Sequence, residues 1–268
     1  MAYEYYSYGK EPLDVTNSVD WSVEDVGDGE LSVKVIGGLV SSSTYGGTVS
    51  ITAEKAGKVG SSSVFILEAC GSQETDSKNI DDTDKSNAKE ACLKVATDSS
   101  GKWFTSSPSE AVMEAMGYEK DSSETNSGDT YSRLREETGE LGPLGGEFAE
   151  FMQDGNGVVK PGEGNNHNAG INGQFDRWCQ KLRISNFAGR TDWRRPQRDE
   201  LVALRQKYAG FTNGLWDARG WPSFAQYLSS TVDEENESNY IVVDLKIGST
   251  HSKAPSGKFY GSCVSNPQ

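Results

Sequence analysis

The sequence predicts an all-β sandwich followed by an α+β domain. In residues 1–68, apolar and polar side chains alternate with a period of two, which is typical of half-buried strands. From about residue 101, segments with helical spacing of apolar side chains precede further strand-like segments. Between these regions, residues 69–100 are rich in acidic and small polar side chains, as in a solvated connector. We therefore expect two domains, 1–68 and 101–268, joined by an acidic connector, 69–100.

Five segments of the first domain have the alternation expected of strands. They are residues 13–16, 19–23, 31–36, 48–53 and 63–67. Turn signals such as Gly27-Asp28-Gly29 and Gly37-Gly38 separate them. In the second segment, Trp21 is expected to face the core while Asp20 faces solvent, because successive strand side chains point to opposite faces.

The connector contains the run Asp81-Asp82-Thr83-Asp84. This run is either a calcium loop or a solubilising charge run, and the second interpretation is favoured. Cys70 and Cys92 flank most of the connector, so a disulfide between them would tie its base.

Three helices and then three strands are predicted in the second domain. The first helix begins with the capping box Ser107-Pro108-Ser109-Glu110, with proline at the first helical position, and stops at Gly117. The second covers residues 175–182, with an apolar face that includes Cys179. The third follows Pro196 and stops at Gly210. The strands are residues 227–231, 240–245 and 259–264.

The four cysteines allow three disulfide pairings. Pairing Cys70 with Cys92 and Cys179 with Cys263 would place one bridge in each half of the chain. The second bridge would close a long loop, which in the chain-entropy model contributes about 4 kcal/mol. Persistent disulfides indicate an oxidising compartment, and the alternative is four buried thiols. No CxxC pair and only two histidines are present, so no zinc or other metal site is expected.

Two sets of residues resemble known families. The first resembles the group 2 bacterial immunoglobulin-like (Ig-like) repeat and consists of Tyr8-Gly9-Lys10, Asp14-Val15-Thr16, Val19-Asp20-Trp21-Ser22 and residues 47–53. The second resembles the C-type-lectin-like terminal domain of invasin/intimin-type bacterial adhesins. It consists of residues 192–201 (Asp-Trp-Arg-Arg-Pro-Gln-Arg-Asp-Glu-Leu), Gly220-Trp221-Pro222, residues 227–231 and Cys263-Val264-Ser265. The order Ig-like, then lectin-like, is also the order of that family.

This resemblance implies an all-β Ig-like sandwich followed by an α+β C-type-lectin-like domain. It implies a Cys179–Cys263 bridge that joins the first lectin-fold helix to the last strand. It also implies an extracellular fragment, displayed from the bacterial outer membrane, that binds a cell-surface protein receptor or a glycan as a monomer. We expect the Ig-like half to be truncated at its N-terminus, since Met1 starts close to Tyr8. The chain is expected to contain neither signal peptide nor membrane anchor.

Composition and motifs exclude other functions. The formal net charge of −14 disfavours nucleic acid and anionic lipid as partners. His167 and His251 lie in no nucleophile motif, so we expect no enzyme. The calcium and sugar motif of true C-type lectins is absent, so no cofactor is expected.

A basic segment is the first candidate for binding. Residues 177–207 carry nine basic and three acidic side chains, and Arg194, Arg195 and Arg198 form its centre. Such a stripe can contact an acidic receptor or a sulfated glycan. It can equally form internal ion pairs with the acidic turn, residues 233–237. The two interpretations have equal weight.

A glycine-flanked loop is the second candidate. Trp216, Asp217 and Arg219 lie in it, and Trp and Arg are frequent in protein-binding hot spots. We expect this loop to form the recognition face together with the acidic turn that contains Asp233, Glu234 and Glu235. Trp216 is either a binding residue or a core residue, whereas Trp193 and Trp221 are expected in the core.

Three rival functions remain at this stage. A carbohydrate-binding module on the same fold could stack Trp216 on sugar rings. An enzyme on a lectin-like scaffold, as in formylglycine-generating enzymes, would need reactive thiols at Cys179 and Cys263. A phage or surface-display protein would present a diversified patch on the same fold.

Overall fold

The computed structural model describes residues 2–4, 13–25, 33–36, 39–42, 47–71, 81–163 and 166–267. The turns predicted at Gly27-Asp28-Gly29 and Gly37-Gly38 lie outside the described residues, as does the Tyr8-Gly9-Lys10 part of the Ig-like pattern.

The N-terminal half is built from antiparallel strands. Its strands are β1 (Tyr3–Glu4), β2 (Leu13–Asp14), β3 (Asp20–Asp25), β4 (Val33–Ile36), β5 (Leu39–Ser42), β6 (Gly47–Lys55) and β7 (Lys58–Ile66). Strands β3, β6 and β7 form one sheet, and β1–β2 and β4–β5 form two-stranded pairs. Alternation places Val49 and Ile51 of β6 in the core, while Thr48 is exposed. Trp21 is half-buried and its indole Nε1 donates to Thr16 O at 3.0 Å.

In the residues that the structure describes, the C-terminal half contains a six-stranded sheet, a three-stranded sheet, two two-stranded pairs and four α-helices. Its strands are β8 (Glu68–Ala69), β9 (Cys92–Leu93), β10 (Val95–Thr97), β11 (Trp103–Thr105), β12 (Glu119–Lys120), β13 (Thr130–Tyr131), β14 (Arg133–Glu136), β15 (Glu147–Phe151), β16 (Tyr227–Val232), β17 (Tyr240–Val243), β18 (Thr250–Lys253), β19 (Phe259–Tyr260) and β20 (Val264–Ser265). Its helices are α1 (Glu110–Ala115), α2 (Gln174–Ile184), α3 (Arg198–Lys207) and α4 (Leu215–Arg219). The larger sheet has the order β14-β15-β19-β16-β17-β18, the smaller has the order β10-β11-β20, and the two-stranded pairs are β8–β9 and β12–β13. The predicted fold class, all-β Ig-like and then α+β lectin-like, is confirmed.

Much of the predicted connector, 69–100, is part of the second domain. Leu93, Val95 and Ala96 are fully buried, and β10 pairs with β11 in the smaller sheet. The sequence does not reveal strand β10, because the apolar run is short and follows a long acidic segment. The boundary predicted at residue 101 therefore falls too late in the chain.

Two local predictions for the helices are wrong. The first helix is capped by Ser109, whose hydroxyl accepts from Val112 N at 3.2 Å. The hydroxyl of Ser107, the predicted cap, instead donates to Ala149 O at 2.5 Å. The predicted glycine-flanked loop contains the short helix α4, which begins after Gly214 and ends at Arg219, followed by Gly220 in the left-handed conformation.

Aromatic side chains fill the core of the second domain. Trp178, Trp193 and Trp221 are fully buried, as predicted for the last two. Trp178 stacks on Phe151 with ring centroids 6.0 Å apart. Large rings bury much area per residue, which explains how a chain with only 34% apolar residues builds a core.

Both expected disulfides are present. Cys70 pairs with Cys92, and Cys179 of α2 pairs with Cys263, next to β20. Cys263 N donates to Thr105 Oγ1 at 3.1 Å, and Cys263 O accepts from Thr105 N at 3.0 Å. The bridge therefore holds the last strand against β11.

Removing the Cys179–Cys263 bridge is predicted to destabilise the protein more than removing Cys70–Cys92. The bridges close separations of 84 and 22 residues, which correspond to about 4–5 and about 3 kcal/mol in the chain-entropy model. Urea unfolding of the two double Cys→Ser variants measures the difference. Equal losses, or a larger loss for Cys70–Cys92, would contradict it.

The turn between β6 and β7 offers a stabilising substitution. Ala56 and Gly57 both have positive φ, 51° and 76°, as a two-residue type I′ hairpin requires. Because a left-handed Ala is strained, Ala56→Gly is predicted to stabilise the N-terminal half by about 1 kcal/mol. Thermal unfolding measures this, and Gly57→Ala, the matched reverse change, is expected to destabilise.

Candidate functional site

The basic segment is largely neutralised by internal ion pairs. The Arg194 guanidinium binds Glu200 through two hydrogen bonds of 2.8 Å, and Lys102 Nζ donates to the same carboxylate at 2.7 Å. Burial alone would raise the pKa of Glu200, but hydrogen bonds from Arg194 and Lys102 lower it to about 2. Glu200 is therefore ionised at neutral pH, and its negative charge balances one of the two positive charges of Arg194 and Lys102.

Arg195 and Arg198 are paired as well. Arg195 is buried, and its guanidinium donates to Asp176 Oδ1 at 3.0 Å and to Gln153 Oε1 at 2.9 Å. Arg198 binds the neighbouring Asp199 at 2.8 Å. The internal alternative thus applies to this trio. The direct partners are Glu200, Asp176 and Asp199, and Glu234 of the acidic turn adds a weaker electrostatic attraction to Arg198. Arg195 is a structural residue and cannot contact a receptor.

The acidic run at residues 81–84 also binds protein groups. Buried Lys94 donates to Asp82 Oδ2 at 2.6 Å and to Asp84 O at 2.5 Å. Asp81 accepts from Thr97 Oγ1 at 2.9 Å and lies 3.4 Å from Arg219 Nε. Burial raises the pKa of Asp81, but the Thr97 hydrogen bond and nearby Lys207 and Arg219 outweigh it and hold the pKa low. The run therefore binds other parts of the same chain and is not a solvated stretch of charges.

The predicted tryptophan loop also contacts this acidic region. Lys85 Nζ lies 3.6 Å from Asp217 Oδ1 and 5.2 Å from the centre of the Trp216 ring. Trp216 is half-buried, which is intermediate between the two predicted roles. Arg219 is held over the Tyr208 ring and against Asp81, so it is a positioning residue in this structure.

The two parts of the predicted recognition face lie at opposite ends of a hairpin. The turn with Asp233, Glu234 and Glu235 precedes β17, and Glu234 and Glu235 are exposed. Helix α4 lies at the other end of β17, where the Cβ position of Gly214 is 2.7 Å from Leu245 O. The two segments are therefore separated by the length of β17, and no contact between them supports the predicted single face.

Four segments that touch one another form a different candidate surface, the loop face. They are residues 84–90, 137–146, 211–224 and 244–248. Ser223 N donates to Leu141 O at 2.7 Å, Lys85 binds Asp217, and a Cβ at Gly146 would lie 3.2 Å from Lys89 Cβ.

The loop face carries four of the eight exposed large apolar side chains in the described part of the chain. They are Leu144 (72% exposed), Phe211 (45%), Phe224 (52%) and Ile247 (65%). Sequence analysis missed all four, because exposure of an apolar residue depends on tertiary packing. The only signal was their position close to Gly and Pro in predicted loops.

A buried carboxylate supports this surface from below. Glu137 Oε1 accepts from Tyr260 OH at 2.7 Å and from Phe224 N at 3.2 Å. Burial raises the pKa of Glu137, and the hydrogen bonds from Tyr260 and Phe224 offset this only in part. Gly142 packs directly on this carboxylate, where a Cβ would clash. Phe224 is thus fixed by a polar contact to the sheet.

Within the described ranges, no three His, Cys, Asp or Glu side chains are grouped to hold a metal ion. Among these residues no helix is sufficiently long and apolar to cross a bilayer. Cys179 and Cys263 are both in a disulfide, so the thiol chemistry of the rival enzyme has no reactive sulfur there.

Comparison with known proteins bears on the C-terminal half. Residues 158–265 match the family model described as the Lcl C-terminal domain. This segment includes α2, α3 and α4 and both cysteines of the second disulfide. No curated protein matches the chain.

One solved structure is similar to the chain. It is the adhesin InvE of Yersinia pseudotuberculosis, with 16% sequence identity and a TM-score of 0.38. The alignment covers 95% of this chain and 56% of that one, so the chain spans about half the length of the InvE structure.

The segment that matches the Lcl C-terminal domain falls inside the α+β C-terminal half of the chain.

Replacing Glu200 by Gln is predicted to cost on the order of 2–3 kcal/mol at pH 7, from a pKa of 4.5 lowered to about 2. Because the folded-state pKa is depressed, this stability is present above pH 4.5 and is lost as the pH falls towards 2. Urea unfolding of both proteins from pH 7 to pH 3 measures it.

Asp199→Asn is the matched control for Glu200→Gln. Asp199 is exposed and its pair with Arg198 is also exposed, so the change should have little effect on stability, because solvent screens exposed ion pairs. A pH-independent loss for Glu200→Gln would contradict the assignment.

Proposed function

We propose that this chain is the tip of an adhesin displayed outside a bacterial outer membrane. Its lectin-like domain binds a protein receptor on a host or neighbouring cell, without catalysis. The observation that carries the proposal is the loop face, where four exposed apolar side chains stand on segments that contact one another.

The position of the exposed side chains on segments that contact one another, rather than exposure itself, supports binding. Single exposed apolar residues are normal on protein surfaces, whereas clustered ones mark interaction sites. Leu144, Phe211, Phe224 and Ile247 have two aromatic rings among them, and Trp216 adds a half-buried third. Aromatic anchors surrounded by charged groups such as Lys85 and Asp217 are typical of a protein-binding hot spot with a polar rim.

The architecture suits presentation of such a face. The Cys179–Cys263 bridge and the aromatic core fix the lectin-like domain, so little ordering is needed on binding. The Ig-like half would act as spacer and support. In this proposal the two domains act as a monomer at the cell surface.

Stacking of sugar on Trp216 is less favourable than the sequence suggested. The Lys85 ammonium occupies one face of the ring, and the side chain is half-buried. The carbohydrate alternative therefore needs another surface.

The test is binding of the fluorescently labelled chain to a panel of mammalian and bacterial cells. The variants Phe224→Ser and Ile247→Ser are expected to weaken binding at least tenfold each, because truncation of an apolar hot spot typically costs 2 kcal/mol or more. Ile184→Ser and Val59→Ser are matched controls, since these side chains are 77% and 64% exposed but lie outside the loop face.

Treatment of the cells separates the receptor classes. Loss of binding after mild surface proteolysis, with glycosidase treatment having no effect, is expected for a protein receptor. Unchanged binding of both loop-face variants, with folding confirmed by circular dichroism, would exclude the loop face. Loss of binding after glycosidase treatment alone would favour the carbohydrate alternative.

A further inference from the structure

A groove of about 520 Å³ runs along α3, away from the exposed apolar side chains of the loop face. One wall is the turn between β10 and β11, and the other is α3 with the residue before it. Its lining residues are Asp98, Ser99, Ser100, Lys102, Gln197, Asp199, Glu200, Ala203, Gln206 and Lys207. From Gln197 to Lys207 a helix extends about 15 Å, so the groove has the size and length of a small-ligand site.

The charged side chains that line the groove bind other groups of the protein. Glu200 is bound by Arg194 and Lys102, and Lys207 lies 3.7 Å from Asp81. Asp98 accepts from Ser100 N and Lys102 N of its own turn, at 2.9 Å each. A charged ligand would have to compete with these pairs.

The net charge of the lining argues against a polyanion. Three carboxylates and two ammonium groups line the groove, so a sulfated glycan would meet net negative charge. Ala203 is the one lining residue whose side chain carries no polar group, so a wholly apolar ligand would leave many polar groups of the lining without a partner. The polar lining suits a neutral ligand with many hydroxyl groups.

Two polar side chains remain available for such a ligand. Ser99 and Gln206 are exposed on opposite walls. A hydroxyl, which both donates and accepts, and an amide, which offers two donors and an acceptor, can bind neighbouring hydroxyls of one sugar.

We propose that this groove binds a neutral oligosaccharide, at a site separate from the protein-binding loop face. The ligand lies along α3 over Ala203, between Ser99 and Gln206. Charged pairs such as Lys102–Glu200 hold the walls in place and contribute hydrogen bonds to hydroxyl groups without a change of net charge.

The test uses the whole chain on an array of neutral and sulfated glycans, followed by saturation-transfer NMR with each neutral glycan that binds. Ala203→Trp places a large ring in the groove and is expected to weaken binding of the neutral glycan at least tenfold. Ala209→Trp is the matched control, because Ala209 is exposed just beyond α3, and it should bind as the unmodified chain does.

A second variant makes the result independent of folding changes. Ser99→Ala combined with Gln206→Ala removes both polar groups without adding bulk and should weaken the same glycan at least fivefold. Binding that neither variant alters would overturn the proposal, as would the absence of any neutral glycan among those bound. Binding of sulfated glycans alone, lost with added salt, would also overturn it. Cell binding through the loop face should be unaffected by these variants, which separates the two proposals.

Discussion

The position of the last strand depends on one covalent link. Cys263 is tied to α2 by its disulfide, and the residues after it lie between two other segments. Val264 exchanges hydrogen bonds with Arg194 at 2.8 and 3.0 Å on one side and pairs with Phe104 of β11 on the other. Because Arg194 then reaches Glu200, the same link sets the distance between β11 and α3. The segments at the walls of the groove, β11 and α3, are thus connected through the last strand.

Several charged side chains pair with residues that are distant in the sequence, so the charge counted along a segment does not describe the surface. A segment with nine basic and three acidic side chains looks like a basic surface when it is read along the chain. In the fold, Arg195 is buried against Asp176, and Lys181 binds Asp129 from a distant segment. Local net charge along the chain therefore does not by itself identify a binding surface. The surface that remains for recognition is apolar at the loop face and net negative in the groove.

Periodic features were predictable from the sequence, and tertiary ones were not. Strands β3 and β6 and helices α2 and α3 followed from alternation and apolar faces. The cysteine positions left three disulfide pairings open, and the resemblance to the lectin-like family implied the Cys179–Cys263 bridge. Strand β14 was missed because its charged side chains hide the alternation, since Arg133 and Arg135 both bind buried Glu150 of β15. Helix α4 is too short for periodicity to reveal. The loop face needed knowledge of which loops touch, which a single sequence does not contain.

One apolar residue of the loop face, Phe224, is held by polar contacts, and this affects how it can bind. Phe224 is fixed through its backbone N–H to Glu137, and Arg135 lies 5.4 Å from the centre of its ring. An apolar side chain that is free to move would fold back on the protein and lose ordering entropy on binding. The buried Glu137 carboxylate holds the Phe224 backbone outward, so that the side chain does not fold back on the protein. The preorganised surface therefore offsets the unfavourable burial of Glu137. Such an exchange is expected where a protein gives up local stability for recognition.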